Sequence, residues 1–122
     1  MTVLVIDDED DIRLIAELAL KASGLTVVSA ESGASGVALA RQHAPDLIVL
    51  DVMMPGMDGY ATLDALRSEP GTAHIPVVML TGKNLAALDE ELRARGVVDV
   101  VAKPFHPRAF VERVRAALEG GI

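Results

Sequence analysis

Several residue types are absent or scarce in this chain of 122 residues, and each absence excludes a class of protein. There is no cysteine, which excludes a disulfide framework and a thiolate metal site. No apolar run approaches the roughly 20 residues that a membrane-spanning helix requires, and no export signal is recognisable. With two phenylalanines, one tyrosine and no tryptophan, the core must be filled by aliphatic side chains. These features predict a cytoplasmic protein with no membrane-inserted segment.

Negative charge exceeds positive charge, and the formal net charge is −7. Direct binding to DNA or RNA depends mainly on cationic side chains that contact phosphates, so this balance argues against a nucleic-acid partner. Two interpretations of the charge stay open at this point. The acidic residues are either spread over the surface for solubility or gathered in one place to hold a cation, and their positions along the chain have to distinguish the two.

Five short apolar segments alternate with five segments of helical spacing along the chain. The apolar segments are rich in β-branched residues, as buried strands are, and they cover residues 3–6, 25–29, 47–50, 76–80 and 97–102. The helical segments cover residues 11–23, 33–43, 59–68, 85–95 and 107–119. The apolar face predicted for the first helix comprises Ile12, Ile15, Leu18, Ala19 and Ala22. This alternation predicts one α/β domain over residues 1–122, with a doubly wound, flavodoxin-like parallel sheet.

Polar residues follow four of the five predicted strands. They are Asp7 and Asp8 after the first strand, Asp51 after the third, Thr81 after the fourth and Lys103 after the fifth. Because ligands of such sheets bind outside the carboxyl ends of the strands, we expect these side chains to converge. Each one alone has a simpler interpretation, since acidic residues are typical of a helix start and threonine of a helix cap. Those interpretations do not explain why all of these types follow neighbouring strands.

The predicted cluster suits one kind of chemistry. Carboxylates held close together repel one another, and a nearby cation relieves that repulsion. A ligand set made only of oxygen atoms favours Mg²⁺, with Mn²⁺ as an alternative. A carboxylate is also a nucleophile for phosphoryl groups, and phosphoryl transfer needs cations and hydrogen-bond donors around the transferred oxygens. Asp51 with Lys103 and Thr81 therefore predicts a phosphoryl acceptor.

Four segments resemble, in order and in spacing, those of the receiver domains of bacterial two-component response regulators. They are VLVIDDE at 3–9, LIVLDVMMPGMDG at 47–59, VMLTG at 78–82 and AKPF at 102–105. The resemblance covers essentially the whole chain. It implies a five-stranded parallel sheet of strand order 2-1-3-4-5 with five helices, as in the chemotaxis receivers. It also implies a signalling switch that is not a conventional enzyme.

The resemblance implies a role for each acidic residue of the cluster. Asp51 would be the phospho-acceptor, and Asp8 and Asp51 would coordinate Mg²⁺ directly. Asp7 would act on the metal mainly through water, and the backbone carbonyl of Met53 would be a further ligand. Lys103 would pair with the phosphoryl oxygens.

The resemblance also implies a switch region, in which Thr81 follows the phosphoryl group inward and the Lys103–Pro104 peptide is cis. Receivers often carry an aromatic residue three positions before the lysine, where this chain has Val100. We therefore expect either a smaller rearrangement of Val100 with Thr81 or a response through the loop that begins at Gly82. Phosphorylation itself is not put in doubt by this departure.

The partners implied are a histidine kinase or histidine phosphotransfer protein, docking near the first helix, and a downstream protein. The downstream protein would bind the face of the fourth helix, fifth strand and fifth helix. The candidate contact residues there, some of which must instead belong to the core, are Leu85, Leu88, Leu92, Val100 and Arg113. Met53 and Lys83, beside the expected phosphoryl group, do not readily orient a water molecule, which predicts slow self-hydrolysis. We expect a stand-alone receiver, the alternative being one domain of a longer regulator.

Two other functions stay open. A receiver-like module could act by protein binding without phosphorylation, an alternative that the missing aromatic residue at Val100 keeps open. A Mg²⁺-dependent phosphatase of the haloacid-dehalogenase type would need a second aspartate two residues after the nucleophile. This chain has Met53 there and has no cap segment, so the phosphatase is the weaker alternative.

Overall fold

The computed structural model describes residues 1–82 and 85–120, with residues 85–88 described by their backbone only. Strands and helices alternate as β1 (Thr2–Ile6), α1 (Asp10–Ala22), β2 (Thr26–Ala30), α2 (Gly33–His43), β3 (Leu47–Asp51), α3 (Gly59–Arg67), β4 (Val77–Thr81), α4 (Leu85–Ala94), β5 (Asp99–Ala102) and α5 (Pro107–Leu118). The predicted order of elements is confirmed. Within the described residues, no helix is long and apolar enough to cross a membrane.

The strands form one parallel sheet in the order β2-β1-β3-β4-β5, which confirms the implied topology. The registers align the strand ends, since Ile6 pairs with Leu50 and Thr81 pairs with Ala102. Asp51 and Thr81 are the last residues of their strands rather than the first residues after them. The polar residues that end or follow the strands therefore lie along one edge of the sheet.

The largest boundary difference from the sequence-based expectation is at β5, which begins at Asp99 instead of residue 97. The preceding chain still closes the end of α4, because the Val97 amide donates to the Leu92 carbonyl at 3.2 Å. Gly96 makes this turn possible with a φ of 87°, a left-handed value that a residue without a side chain adopts readily.

Two hydrophobic clusters cover the two faces of the sheet, because side chains alternate along each strand. Leu4 and Ile6 point to the cluster that contains Leu63 and Leu66 of α3. The neighbouring strand residues point instead to the cluster formed with α1 and α5, whose members include Ala16, Leu20, Phe110 and Val114. Burial of such aliphatic side chains stabilises the fold by roughly 1.5–3 kcal/mol each. The paired clusters explain why the strands read as continuous apolar segments.

The apolar face predicted for α1 is wrong for Ile15 and Leu18, although Ile12 does pack against the core cluster on this side of the sheet. The fully buried residues of α1 are Ala16 and Leu20, whereas Ile15 is 42% and Leu18 59% exposed. The helix carries two apolar stripes, and its amphipathic spacing does not choose between them. The stripe that contains the small residue Ala16 packs on the sheet. Leu14, Ile15 and Leu18 are therefore left exposed to solvent.

The residue set predicted for the output face also needs correction. Leu92 and Val100 are 0% and 1% exposed and belong to the core, so they form no surface patch. Arg113 does lie on the surface of α5, where it pairs with Asp99. The side chains of Leu85 and Leu88 lie outside the described residues.

Candidate functional site

Backbone hydrogen bonds extend the sheet one residue beyond three strands and so position the candidate side chains. The Asp7 amide donates to the Ala30 carbonyl at 3.1 Å, and the Lys103 amide donates to the Thr81 carbonyl at 2.8 Å. The next residue after Asp51 is held in the same way, through its amide and the Leu80 carbonyl. Residues on these extensions have little backbone freedom, which fixes the direction of their side chains.

The structure brings Asp7, Asp51 and Lys103 together, as the sequence predicted. The Lys103 Nζ atom lies 3.0 Å from Asp7 Oδ2 and 3.1 Å from Asp51 Oδ2. Both aspartates are buried, with 0% and 2% of their surface exposed. A third carboxylate, that of Glu9, lies 2.9 Å from the same nitrogen and is largely exposed. One ammonium group therefore faces three carboxylates.

Oxygen atoms of four acidic residues, Asp7, Asp8, Glu9 and Asp51, lie within 4.8 Å of one another. Asp7 Oδ2 and Asp51 Oδ2 are buried, and within the described part of the chain neither accepts a well-aligned hydrogen bond. Buried carboxylate oxygens without such a partner are costly unless a cation approaches them. An oxygen-only donor set with two under-coordinated buried atoms fits a hard divalent cation such as Mg²⁺.

The loop after β3 folds back against the end of its own strand. The Met53 amide donates to Asp51 Oδ1 at 3.3 Å, which restricts the carboxylate. Gly59, the last residue of the motif, donates its amide to the Val52 carbonyl at 2.9 Å. A Cβ atom on Gly59 would lie 2.4 Å from the Asp51 carbonyl oxygen, so this position has no room for a side chain. The segment from Asp51 to Gly59 therefore needs a glycine at its end, because the backbone there passes close to the backbone of Asp51.

The acidic pocket disfavours the negative charge of Asp51. Burial and the neighbouring Asp7 carboxylate raise the pKa of Asp51 to about 6, and Lys103 only partly offsets them. Burial also disfavours the Lys103 ammonium, but the carboxylates of Glu9, Asp7 and Asp51 outweigh burial and raise its pKa. The lysine therefore stays protonated, and additional positive charge in the pocket would favour the ionised form of Asp51.

The residues of the expected switch region lie at the same edge. Thr81 is fully buried at the end of β4, and the next residue, Gly82, is exposed. Val100 is buried in the core beneath this edge. The expected cis peptide between Lys103 and Pro104 is confirmed.

Sequence reasoning missed the individual role of Glu9, which it treated only as part of the opening acidic motif. The signal was present, because a glutamate two residues after Asp7 at a helix start can reach back over the strand end. It also missed Asp99, which lies within a predicted apolar strand. Asp99 is 3% exposed and accepts hydrogen bonds from Arg93 Nη2 at 2.8 Å and Arg113 Nε at 2.7 Å.

Residues 3–115 match the family model of the response regulator receiver domain. The chain belongs to this family. The receiver domain is 38% identical over 125 residues to the transcriptional regulatory protein AfsQ1 of Streptomyces coelicolor, covering 98% of this chain and 52% of that protein. It is 39% identical over 118 residues to the DNA-binding dual master transcriptional regulator RpaA of a Synechocystis strain, covering 95% of this chain and 48% of that protein.

Among solved structures, the receiver domain is similar to the chemotaxis protein CheY4 of Vibrio cholerae. The TM-score is 0.87 at 30% sequence identity, over 93% of this chain and 95% of that one. The chain thus spans about half the length of the two curated relatives and nearly all of the chemotaxis protein. Receiver domains of this family are signalling switches rather than conventional enzymes.

Proposed function

We propose that this receiver domain accepts a phosphoryl group on Asp51 in a Mg²⁺-dependent reaction and then changes conformation to control a partner protein. The donor is the phosphohistidine of a histidine kinase or of a histidine phosphotransfer protein, and the setting is the cytoplasm. The observation that carries this proposal is the position of Asp51, whose Oδ2 atom is buried, lies 3.1 Å from Lys103 Nζ and accepts no well-aligned hydrogen bond within the described residues.

In the proposed reaction, an Asp51 carboxylate oxygen attacks the phosphorus atom. A P–O bond forms while the P–N bond to the donor imidazole breaks, and the imidazole keeps the electron pair of that bond. The Lys103 ammonium pairs with a transferred oxygen, and the Thr81 hydroxyl donates a hydrogen bond to another. Both groups stabilise charge on the equatorial oxygens, which is where phosphoryl transfer needs it.

The residues that would hold Mg²⁺ are Asp8 and Asp51 directly, Asp7 through water, and Met53 through its backbone carbonyl. A metal ion held by these residues would supply positive charge that stabilises the transferred phosphoryl group. The four-carboxylate cluster supports this assignment because, among the described residues, Lys103 is the one ammonium group placed against it, which leaves a surplus of negative charge. Mn²⁺ has the same preference for oxygen ligands and is the natural substitute.

The switch that we propose involves Thr81, Gly82, Val100 and Pro104. Thr81 is the last residue of β4 and would move toward the phosphoryl group. Val100 packs in the core below this edge of the sheet. Valine is smaller than the aromatic residue common at this position in the family, so we expect a smaller movement at the surface. Gly82 is exposed and has no Cβ atom, which lets its backbone follow Thr81.

The output surface that we propose is the face formed by α4, β5 and α5. Because Leu92 and Val100 are buried, the described side chains of this face that we propose for recognition are those of Arg93 and Arg113, which pair with Asp99. A downstream protein is the partner proposed here. The relatives AfsQ1 and RpaA are named as transcriptional regulators, but this acidic chain itself is proposed to make no direct contact with nucleic acid.

The test is intact mass spectrometry after incubation with acetyl phosphate, with and without Mg²⁺, on the wild type, Asp51→Asn and Asp11→Asn. We expect a gain of one phosphoryl group in the wild type and in Asp11→Asn, only with Mg²⁺, and no gain in Asp51→Asn. Asp11 is an exposed aspartate of α1 and controls for the loss of one acidic residue.

If the folded wild type binds Mg²⁺ but gains no mass, a phosphorylated histidine phosphotransfer protein should be offered as the second donor. A continued lack of transfer would contradict the proposal and favour the module that acts by binding alone. The replacement of the usual aromatic residue by Val100 is the observation that keeps this second function in view.

A further inference from the structure

The acidic cluster consists of Asp7, Asp8, Glu9 and Asp51. Glu9 is its one member that is both largely exposed and in direct contact with Lys103. Its side chain is 59% exposed, against 11% for Lys103 and 0% for Asp7. Its Oε1 atom accepts a hydrogen bond from Lys103 Nζ at 2.9 Å, across 94 residues of sequence. The contact is therefore a product of the tertiary fold.

Lys103 is surrounded by carboxylates, and among the described residues only Glu9 accepts a well-aligned hydrogen bond from its ammonium group. The ammonium carries three N–H groups, and three carboxylates lie within 3.1 Å of it. Under the proposed function, Lys103 must also pair with a phosphoryl oxygen. One of its present contacts has to be given up when the phosphoryl group arrives.

Burial indicates which contact is given up. Asp7 and Asp51 are enclosed, so loss of the lysine would leave a buried carboxylate without water to replace it. Asp7 is also restrained by the Glu9 backbone amide, which donates to Asp7 Oδ1 at 2.9 Å. The Glu9 carboxylate is at the mouth of the pocket, and water can solvate it as soon as it leaves Lys103.

We propose that Glu9 is a positioning residue that holds the Lys103 ammonium before phosphorylation and releases it to the phosphoryl group. This inference rests on the proposed function and adds a regulating residue to the same site. Glu9 then has two opposed effects. Its charge strengthens the binding of a divalent cation, and its hold on Lys103 together with its repulsion of an anionic donor slows phosphorylation.

The opposed effects give a test that a loss of structure cannot imitate, because a damaged pocket would weaken both metal binding and phosphorylation. The variants are Glu9→Gln, which removes the charge, and Glu9→Asp, which keeps the charge but shortens the reach to Lys103. Asp11→Asn is the matched control, since it removes the same charge two residues away. In the described part of the chain, Asp11 has no ion pair with the cluster.

The first measurement is the Mg²⁺ dissociation constant by isothermal titration calorimetry, which requires no phosphorylation. For Glu9→Gln we expect binding weaker by roughly three- to tenfold, as expected for a charge a few ångströms from a divalent ion in a partly hydrated site. For Asp11→Asn and Glu9→Asp we expect a change of less than about twofold. An unchanged constant in Glu9→Gln would overturn the inference.

The second measurement is the rate of phosphorylation by acetyl phosphate at saturating Mg²⁺. We expect Glu9→Gln to react roughly two- to fivefold faster than the wild type, the effect of losing one exposed ion pair to Lys103. Glu9→Asp should also react faster, while Asp11→Asn should match the wild type. A slower or unchanged Glu9→Gln would overturn the inference and leave the proposed function intact. A wild type that gains no phosphoryl group from any donor would instead contradict the proposed function, and the rate effect with it.

Discussion

Asp51 and Asp99 are both buried aspartates, with 2% and 3% of their surface exposed, but their electrostatic environments are opposite. The pKa of Asp51 is raised to about 6, chiefly by burial and then by the Asp7 carboxylate. Burial also opposes the charge of Asp99, yet Arg113, the Val100 amide and Arg93 outweigh it and lower the pKa. Depth alone therefore does not decide the state of a carboxylate in this protein.

The two aspartates differ in the number of cationic partners available to each carboxylate. Asp51 shares the single ammonium of Lys103 with two other carboxylates. Asp99 pairs with two guanidinium groups, Arg93 of α4, which also contacts Asp89, and Arg113 of α5, and it joins both helices to the start of β5. A carboxylate with a complete set of partners stabilises the fold, whereas a surplus of carboxylates leaves a pocket that favours an incoming cation. Four predictions test this contrast.

The largest expected effect on stability is at Asp99. We expect Asp99→Ala to lower the free energy of unfolding by about 2 kcal/mol, because it leaves two arginines without their buried partner. Both arginines are about 40% exposed, so water compensates for part of the loss. Urea unfolding followed by far-UV circular dichroism is the appropriate measurement, since the chain has no tryptophan.

The control for Asp99→Ala is Asp89→Ala, which removes the more exposed carboxylate that Arg93 also contacts at 2.7 Å. Its expected change is within about 0.5 kcal/mol. Equal effects of the two substitutions would mean that the burial of Asp99 adds nothing to the strength of its ion pairs.

The opposite sign is expected at the acidic pocket. In a chelating buffer at pH 7.5, we expect Asp51→Asn to raise the free energy of unfolding by on the order of 1 to 2 kcal/mol, because it removes a carboxylate that the pocket disfavours. Mg²⁺ should stabilise the wild type more than this variant, since only the wild type keeps the full ligand set. An Asp51→Asn protein less stable than the wild type in chelator would show that the pocket is not electrostatically strained.

The pH dependence should distinguish the two aspartates as well. Because folding raises the pKa of Asp51 from 3.8 to about 6, the metal-free protein should lose stability as pH rises through this window, and Asp51→Asn should not. Because folding lowers the pKa of Asp99, its contribution should be present above about pH 4 and lost as pH falls below that value. Urea unfolding of the wild type, Asp51→Asn and Asp99→Asn from pH 3 to pH 8 measures the two windows, and a difference from the wild type that did not vary with pH would contradict the assignment.

The smallest expected effect concerns the lifetime of the phosphorylated form. Met53 is 53% exposed beside Asp51, and its thioether does not orient a water molecule for attack. We therefore expect Met53→Ala to change the half-life of the phosphoryl group by less than about twofold, and the sequence predicts the same for Lys83→Ala, at a residue outside the described part of the chain. Loss of phosphoryl mass after removal of the donor measures this, and a much longer half-life in either variant would show that the native side chain promotes hydrolysis.

The sequence predicted the sheet and most of the site because both depend on local signals. Apolar segments bounded by turn residues fixed the strands, and the rule that parallel strands share a carboxyl edge placed Asp7, Asp51, Thr81 and Lys103 together. Their assigned roles stay predictions until the mass experiment is made. The apolar face of α1 was wrong at Ile15 and Leu18 because the helix has two apolar stripes of nearly the same spacing, and only contact with the sheet selected Ala16 and Leu20 for burial.

By itself, then, the amino-acid sequence determined the order of strands and helices and the chemical types gathered at the sheet edge. The tertiary structure alone decided that Glu9 reaches Lys103 and that Asp99 binds Arg93 and Arg113. The physical reason is the sequence separation over which each feature is determined. Strand and helix patterns repeat over two to four residues, whereas the pairing of a charge depends on which distant groups packing brings near it and on how much water packing removes.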